Sequence, residues 1–370
     1  WYNAGFLLVW GSNIPMTRAP DAHFYSEVRY RGAKSVVIAP DFNEAAKFSD
    51  LWLHPKQGTD AALALAFGHV VLREFYLDRP SDYFTDYARR YTDFPLLVTL
   101  REQDGRLVPD RMLRAADLPG GLGEGNNPDW KTVGIDEATG ALVAPTGSVG
   151  FRWGETGKWN LEEKDGQGRD ARLRLTLAGG EDATVPVAFP YFGDAAPHEW
   201  KATGHDRVLL RHVPVREVAT AGGGRMRVAT VFDLMCASYG LDRGFGGADV
   251  AKGYDEDVPF TPAWAEAVTG VPRQAIVQVA REFAQNADTT KGRSMVILGA
   301  GLNHWYHMDM SYRGIIQLLV MCGCIGQSGG GWAHYVGQEK LRPATGWLPL
   351  AFALDWHRPP RQMNGTSFFY

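Results

Sequence analysis

Met295-Val296-Ile297-Leu298-Gly299-Ala300-Gly301-Leu302-Asn303-His304 is the stretch whose reading decides the fold. Four apolar residues in a row read as a strand buried on both faces, as in parallel sheets. The run stops at glycines with polar side chains among them, followed by a helix-like segment. Glycine lets backbone amides approach a ligand closely, and bare amides at a helix start attract phosphate. Beyond the helix lie Gly326-Gln327-Ser328-Gly329-Gly330-Gly331-Trp332 and Gly337-Gln338-Glu339-Lys340. Two glycine-rich turns around one helix suit a large, phosphate-bearing cofactor.

The same strand-then-turn pattern recurs upstream. Phe6-Leu7-Leu8-Val9-Trp10 reads as a buried strand and runs into Gly11-Ser12-Asn13-Ile14-Pro15. Residues 21–31 are helix-like, and Ser35-Val36-Val37-Ile38-Ala39 is a second buried strand closed by Pro40-Asp41. Leu51-Trp52-Leu53 leads through Pro55-Lys56-Gln57-Gly58-Thr59-Asp60 into a helix over 61–75. Thr59 is its expected N-cap, and Asp60 suits the positive first turn. In open α/β sheets ligands sit outside the carboxyl ends of the strands, which is where these polar turns fall.

The expected fold class is α/β, with parallel-sheet, Rossmann-like cofactor-binding domains and a β-rich insertion, part of a larger multidomain protein. Residues 1–100 form the first half of a cofactor-binding α/β domain. Residues 101–230, punctuated by Gly, Asp, Asn and Pro, form a β-rich, loop-rich insertion. Residues 231–290 return to the α/β domain as helices, with Pro272 starting the clearest of them. Residues 291–370 form a second, partial α/β cofactor-binding domain.

Composition narrows the function. A net charge of −4, with 45% hydrophobic and 22% charged residues, gives no basic excess to attract nucleic acid. No apolar run reaches the roughly 18 residues of a membrane helix. Cys236, Cys322 and Cys324 are too few and odd in number for a disulfide framework, which points to a reducing compartment, and Cys322 with Cys324 fall short of the four thiolates of an iron–sulfur cluster and read as packed thiols at a helix end. The chain begins at Trp1 inside an apolar run and ends at Tyr370, which reads as an internal piece of a larger protein.

Several tempting motifs fail on context. The nicotinamide-dinucleotide fingerprint needs a glycine where His304 stands. Gly326-Gln327-Ser328-Gly329-Gly330 matches the nucleophile elbow of hydrolases, but that elbow needs a strand before it, and here a helix precedes. The histidines show no metal-ligand spacing, and His304 with His307 lacks a third ligand. Asp60 is the better candidate, because a carboxylate can accept two hydrogen bonds from a guanine's N1–H and exocyclic amine. Asp41 has the same acceptor chemistry for a ribose hydroxyl or base edge. Arg18 and Lys56 read as solvated charges and loop residues, and Trp305 as one of several tryptophans able to wall a planar cofactor.

Taken together, these motifs resemble the molybdopterin oxidoreductases related to dimethyl sulfoxide reductase. Asn160-Leu161-Glu162-Glu163-Lys164, Asn303-His304-Trp305-Tyr306-His307, Gly346-Trp347 and Ala351-Phe352-Ala353-Leu354-Asp355-Trp356 are similar, more narrowly, to the catalytic α subunits of respiratory membrane-bound nitrate reductases. That resemblance implies a bis(molybdopterin guanine dinucleotide)-molybdenum cofactor. It carries cofactor binding onto Ser12, Asn13 and Pro15; onto Pro40 and Asp41; onto Gly58, Thr59 and Asp60; and onto Gly301, Asn303, His304, Gly330, Gly331 and Gln338. The molybdenum-ligand aspartate and the ligands of a 4Fe-4S cluster are expected upstream of Trp1, so no metal ligand is assigned. The implied reaction reduces nitrate to nitrite by oxygen-atom transfer, with quinol-derived electrons. Implied partners are an iron–sulfur β subunit and a heme-bearing membrane γ subunit, which would hold the enzyme on the cytoplasmic face of the membrane. The competing readings are a nitrite oxidoreductase running the reaction in reverse, another oxyanion reductase, and a binding module that kept the fold without the metal.

Overall fold

The computed structural model describes residues 1–125, 127–146, 162–180, 183–190, 208–248 and 250–334. The chain opens with strand β1 (Phe6–Trp10), a short helix α1 (Ile14–Thr17), helix α2 (Ala19–Tyr30), and strand β2 (Lys34–Ile38). One turn, α3 (Glu44–Lys47), leads to β3 (Leu51–Leu53), then to the long helix α4 (Asp60–Leu72). A π-helical turn over Arg73–Asp78 joins α4 to α5 (Asp82–Tyr91).

A β excursion follows: β4 (Leu97–Gln103), β5 (Arg106–Met112), the short ribbon β6 (Gly134–Ile135) and β7 (Leu142–Val143), then β8 (Ala183–Pro190), β9 (Val208–Ala219) and β10 (Arg225–Thr230). Helices α6 (Val231–Ser238), α7 (Pro262–Thr269) and α8 (Arg273–Thr290) bring the chain back to β11 (Ser294–Leu298). Helix α9 (Ala300–Asn303), helix α10 (Met308–Met321) and strand β12 (Gly331–Ala333) complete it.

The main sheet has the order β12-β11-β1-β2-β3, and every pair in it is parallel. Its strands are continuous apolar runs because both faces are covered. Phe6, Leu8 and Trp10 face a core shared with α4, α8 and α10. Leu7 and Val9 face Ile14, Tyr25, Val28 and Ala45 on the opposite side. Helix α4 is buried nearly all round, including His69, because it lies between the sheet and α7, α8 and α10.

At the far end of α10 the carbonyls of Met321, Gly323 and Ile325 accept hydrogen bonds from the hydroxyls of Tyr76 (2.7 Å), Tyr83 (2.6 Å) and Tyr87 (3.0 Å). These satisfy carbonyls that a helix terminus leaves open. Cys322 and Cys324 lie in this turn as buried free thiols, and burial pushes both well above the usual thiol range.

The β excursion closes into a barrel, β10-β4-β5-β8-β9, with β9 pairing back to β10. Its first and last residues meet, since Leu97 pairs with Thr230. The barrel is tied to the helices by a buried polar knot. Asp233, fully buried, accepts hydrogen bonds from Leu177 N (2.8 Å), Thr230 Oγ1 (2.9 Å) and Arg243 Nη1 (2.7 Å). Arg211 of β9, 1% exposed, donates to the carbonyls of Ala237 and Ser238.

One expectation is corrected here. Residues from 291 onward do not begin a second α/β unit as far as residue 334. Strand β11 hydrogen-bonds directly beside β1, in register Leu7↔Met295, and β12 extends that same sheet.

Candidate functional site

Chain connectivity creates the site. From β1 the chain moves outward to β2 and β3, then returns to place β11 on the other side of β1. The loops leaving β1 and β11 therefore diverge at the carboxyl end of the sheet, the kind of switch point where open α/β sheets bind ligands. A crevice of about 930 Å³ lies there, within the range of ligand sites. Its walls come from the loops after β1, β2, β3 and β11, with Trp305 on one side.

Glycine is required where these loops touch. Gly301 N donates to Gly11 O at 3.1 Å, and Gly299 N donates to Trp10 O at 3.1 Å. A Cβ on Gly299 would stand 2.5 Å from Ser12 Cα, and one on Gly301 would stand 2.8 Å from Gly11 O. The glycines of 299–301 thus join two backbones as well as lining the crevice.

The polar groups around the crevice are incompletely satisfied. Ser12 Oγ, Asn13 Oδ1 and Arg18 Nη1, all on lining residues, are buried without a hydrogen-bond partner among the described residues, as is Asn303 Oδ1 one position beyond the lining residue Leu302. Buried polar atoms are nearly always paired, so such a cluster at one crevice marks a place built for polar ligand atoms. Asn13 is oriented by Glu44, whose carboxylate accepts from Asn13 Nδ2 at 2.6 Å. Arg18 Nε is held by Asp21 at 2.9 Å.

Asp60, 8% exposed, accepts from the indole N–H of Trp10 at 2.7 Å. Burial raises its carboxyl above the ordinary range, opposed by the Trp10 hydrogen bond and its own amide. The crevice thus offers cations (Arg18, Lys56) for phosphate and carboxylates (Asp41, Asp60) for N–H and O–H donors.

Of the sequence-predicted residues, Ser12, Asn13, Pro40, Asp41, Asp60 and Gly301 line this crevice together. Gly58 sits at its rim with φ +76°, where a Cβ would lie 3.8 Å from the Trp305 ring. Thr59 precedes α4 but does not cap it with its side chain; its hydroxyl donates to Lys56 O at 2.6 Å. Pro15 lies in the first turn of α1, where a missing N–H costs nothing. Asn303 and His304 end α9, and the His304 ring is exposed, away from the lining.

Gly330 and Gly331 lie at the other end of the sheet. Gly331 is in register with Met295 near the start of β11, Gly330 packs against the Gly292 and Cys324 carbonyls, and Ser328 Oγ accepts from Asn3 Nδ2 at 2.9 Å. These glycines answer close backbone packing at the amino ends of the strands. Gln338 lies outside the described residues.

From the sequence Arg18 reads as a solvated charge and Lys56 as a loop residue, although Lys56 lies within a strand-end turn and Arg18 three residues beyond another, and that position is the available signal. Among the described residues no group of three His, Cys, Asp or Glu side chains is gathered to hold a metal ion.

Residues 1–356 match the family model described as molybdopterin oxidoreductase. The chain is 61% identical, over its whole length, to the respiratory nitrate reductase 2 alpha chain of Escherichia coli, and 48% identical to the nitrate reductase alpha chain of Bacillus subtilis. It is 32% identical, over 95% of its length, to the perchlorate reductase subunit alpha of Dechloromonas aromatica. It spans 30%, 29% and 31% of those relatives' own lengths.

Proposed function

The chain belongs to the molybdopterin oxidoreductase family, and from that premise we propose that its crevice holds the nucleotide end of a molybdopterin guanine dinucleotide in the catalytic subunit of a nitrate reductase. The observation that carries the proposal is the crevice itself. It lies where the strand order reverses and is ringed by buried polar atoms that lack protein partners. This is also the support for reading the sheet as Rossmann-like. Whole-chain identity of 61% to a respiratory nitrate reductase alpha chain, against 32% to a perchlorate reductase subunit, favours nitrate as the oxyanion.

The residues divide by chemistry. Asp60 and Asp41 accept hydrogen bonds from guanine N–H and ribose O–H groups. Arg18 and Lys56, with backbone amides of the glycine turns, offset phosphate charge. Trp305 walls a flat ring system. When bound, the cofactor supplies two-electron oxygen-atom transfer, converting nitrate, two protons and two electrons into nitrite and water. No residue of this chain is assigned as a molybdenum or 4Fe-4S ligand; those belong to the rest of the parent subunit. A β subunit carrying iron–sulfur centres and a membrane γ subunit carrying heme complete the electron path from quinol, at the cytoplasmic face of the membrane.

The test uses the full parent complex, reduced with a viologen dye and given nitrate, with molybdenum and guanine nucleotide assayed in the same sample. Nitrate-dependent dye reoxidation with both constituents present supports the proposal, and Asp60→Ala lowers both contents several-fold. Full cofactor content in Asp60→Ala refutes the crevice assignment, and a molybdenum-loaded complex inert to nitrate refutes the substrate.

A further inference from the structure

Asp60 is not a free carboxylate waiting for a ligand. It is the first residue of α4, while Trp10 is the last residue of β1, fifty positions earlier. Trp10 is fully buried, and its ring packs edge-on against Phe67, about two turns along α4 from Asp60, at a centroid distance of 5.9 Å. Strand and helix therefore both fix the indole. Its one N–H points at Asp60 Oδ1 at 2.7 Å. Among the described residues Oδ2 has no side-chain partner, although the residue lines the crevice.

We propose that Trp10 is the positioning residue for Asp60, claiming one carboxylate oxygen so that the other is presented to the ligand in a fixed orientation. The proposal rests on the cofactor reading above and adds a residue that does not line the crevice. An indole N–H only donates, so this contact needs an acceptor oxygen at the Oδ1 position and fixes which carboxylate oxygen is engaged. Without it the carboxylate rotates about its terminal torsion, which has broad wells. It also loses a hydrogen bond that favours its charged form against the effect of burial. The charged residues that line the crevice with Asp60 are Arg18, Asp21, Asp41 and Lys56; the elements behind them add His23, Glu27 and Arg29 on α2 and Glu44 and Lys47 on α3, and among the described residues Asp60 forms an ion pair with none of them.

The experiment measures cofactor retention against pH in the purified parent complex. Wild type, Trp10→Phe and Asp60→Asn are each equilibrated across an acidic series, freed of released cofactor, and assayed for remaining guanine nucleotide. The wild type loses cofactor along an acid limb. Trp10→Phe, with thermal unfolding near that of wild type, moves the limb upward by about one pH unit, the size of one hydrogen bond to a charged group. Asp60→Asn holds little cofactor and shows no limb.

A Trp10→Phe limb at the wild-type pH, whether overall content is normal or uniformly lower, overturns the proposal, since a merely structural role lowers retention without moving the pH. An Asp60→Asn complex with normal content and an unchanged limb overturns the cofactor reading instead. If Trp10→Phe does not accumulate, benzothienylalanine at position 10 keeps the ring shape while replacing N–H by sulfur, and the same two outcomes apply.

Discussion

His69 should make the stability of this chain fall between about pH 6.5 and pH 4, in a direction set by its surroundings. The ring is 1% exposed in the middle of α4, with Nδ1 3.0 Å from the Tyr239 carbonyl. A carbonyl only accepts, so Nδ1 carries the hydrogen, and it is burial that disfavours a second proton on the ring. Burial lowers its pKa from 6.5 to about 4, the Tyr239 carbonyl opposes this, and Arg73 and Arg211 reinforce it.

The unfolded chain therefore takes up a proton at higher pH than the folded one. The folded state keeps its full advantage above the unfolded pKa and loses about 1.4 kcal/mol for each pH unit below it. By pH 4 the loss amounts to about 3 kcal/mol, a large share of a typical 5–15 kcal/mol total.

The assay is urea unfolding of the 370-residue chain, followed by tryptophan fluorescence, for wild type and His69→Gln. The glutamine amide still donates to Tyr239 but does not titrate. Asp60 works in the opposite sense, because its raised carboxyl pKa contributes stability at low pH that is lost as the pH rises through it. Asp60 is common to both proteins and cancels in their difference. At neutral pH the variant is less stable; toward pH 4 the difference moves in its favour by about 3 kcal/mol. A difference that does not change with pH refutes the reasoning.

Other substitutions probe the crevice and the barrel. Gly299→Ala drives a Cβ into the Ser12 backbone and parts the two loops, costing about 3 kcal/mol from overpacking and lost hydrogen bonds; thermal unfolding and cofactor content should fall together. Arg243→Met strands the buried Asp233 charge and costs about 3 kcal/mol, read as faster proteolysis between barrel and helices; an unchanged cleavage rate contradicts it. Tyr76→Phe removes the hydroxyl from the Met321 carbonyl and costs about 1 kcal/mol in a denaturation midpoint, with Cys322 becoming more reactive to thiol reagents.

The strands of the parallel sheet were legible because they are buried on both faces, which leaves a continuous apolar run. The run at 294–298 and the run at 35–39 agree with β11 and β2 to within one residue. The turns after them were legible for the same reason, since polar residues and glycine interrupt the runs where the chain leaves the core. The position of the second glycine block was not legible, because glycine spacing carries no information about which end of a sheet a turn occupies, and Gly331 stands in register with Met295 near the amino end of β11. Strand β12, which would have given the direction, is only three residues long. Barrel closure and the contact between Trp10 and Asp60 depend on pairings distant in sequence, which periodicity does not encode.

The register Phe6↔Ser294 has a consequence for synthesis on the ribosome. Strand β1, in the middle of the finished sheet, waits for a neighbour encoded 288 positions later. At roughly 5–20 residues per second that wait lasts roughly 15–60 s. The barrel, whose first and last strands pair with each other, has all its strands available before β11 emerges. During the interval one side of β1 is an open strand edge, prone to pairing with other chains. A nascent chain stalled before residue 294 should therefore hold a folded barrel beside an aggregation-prone half-sheet, which makes this interval the point at which a holding chaperone has most to protect.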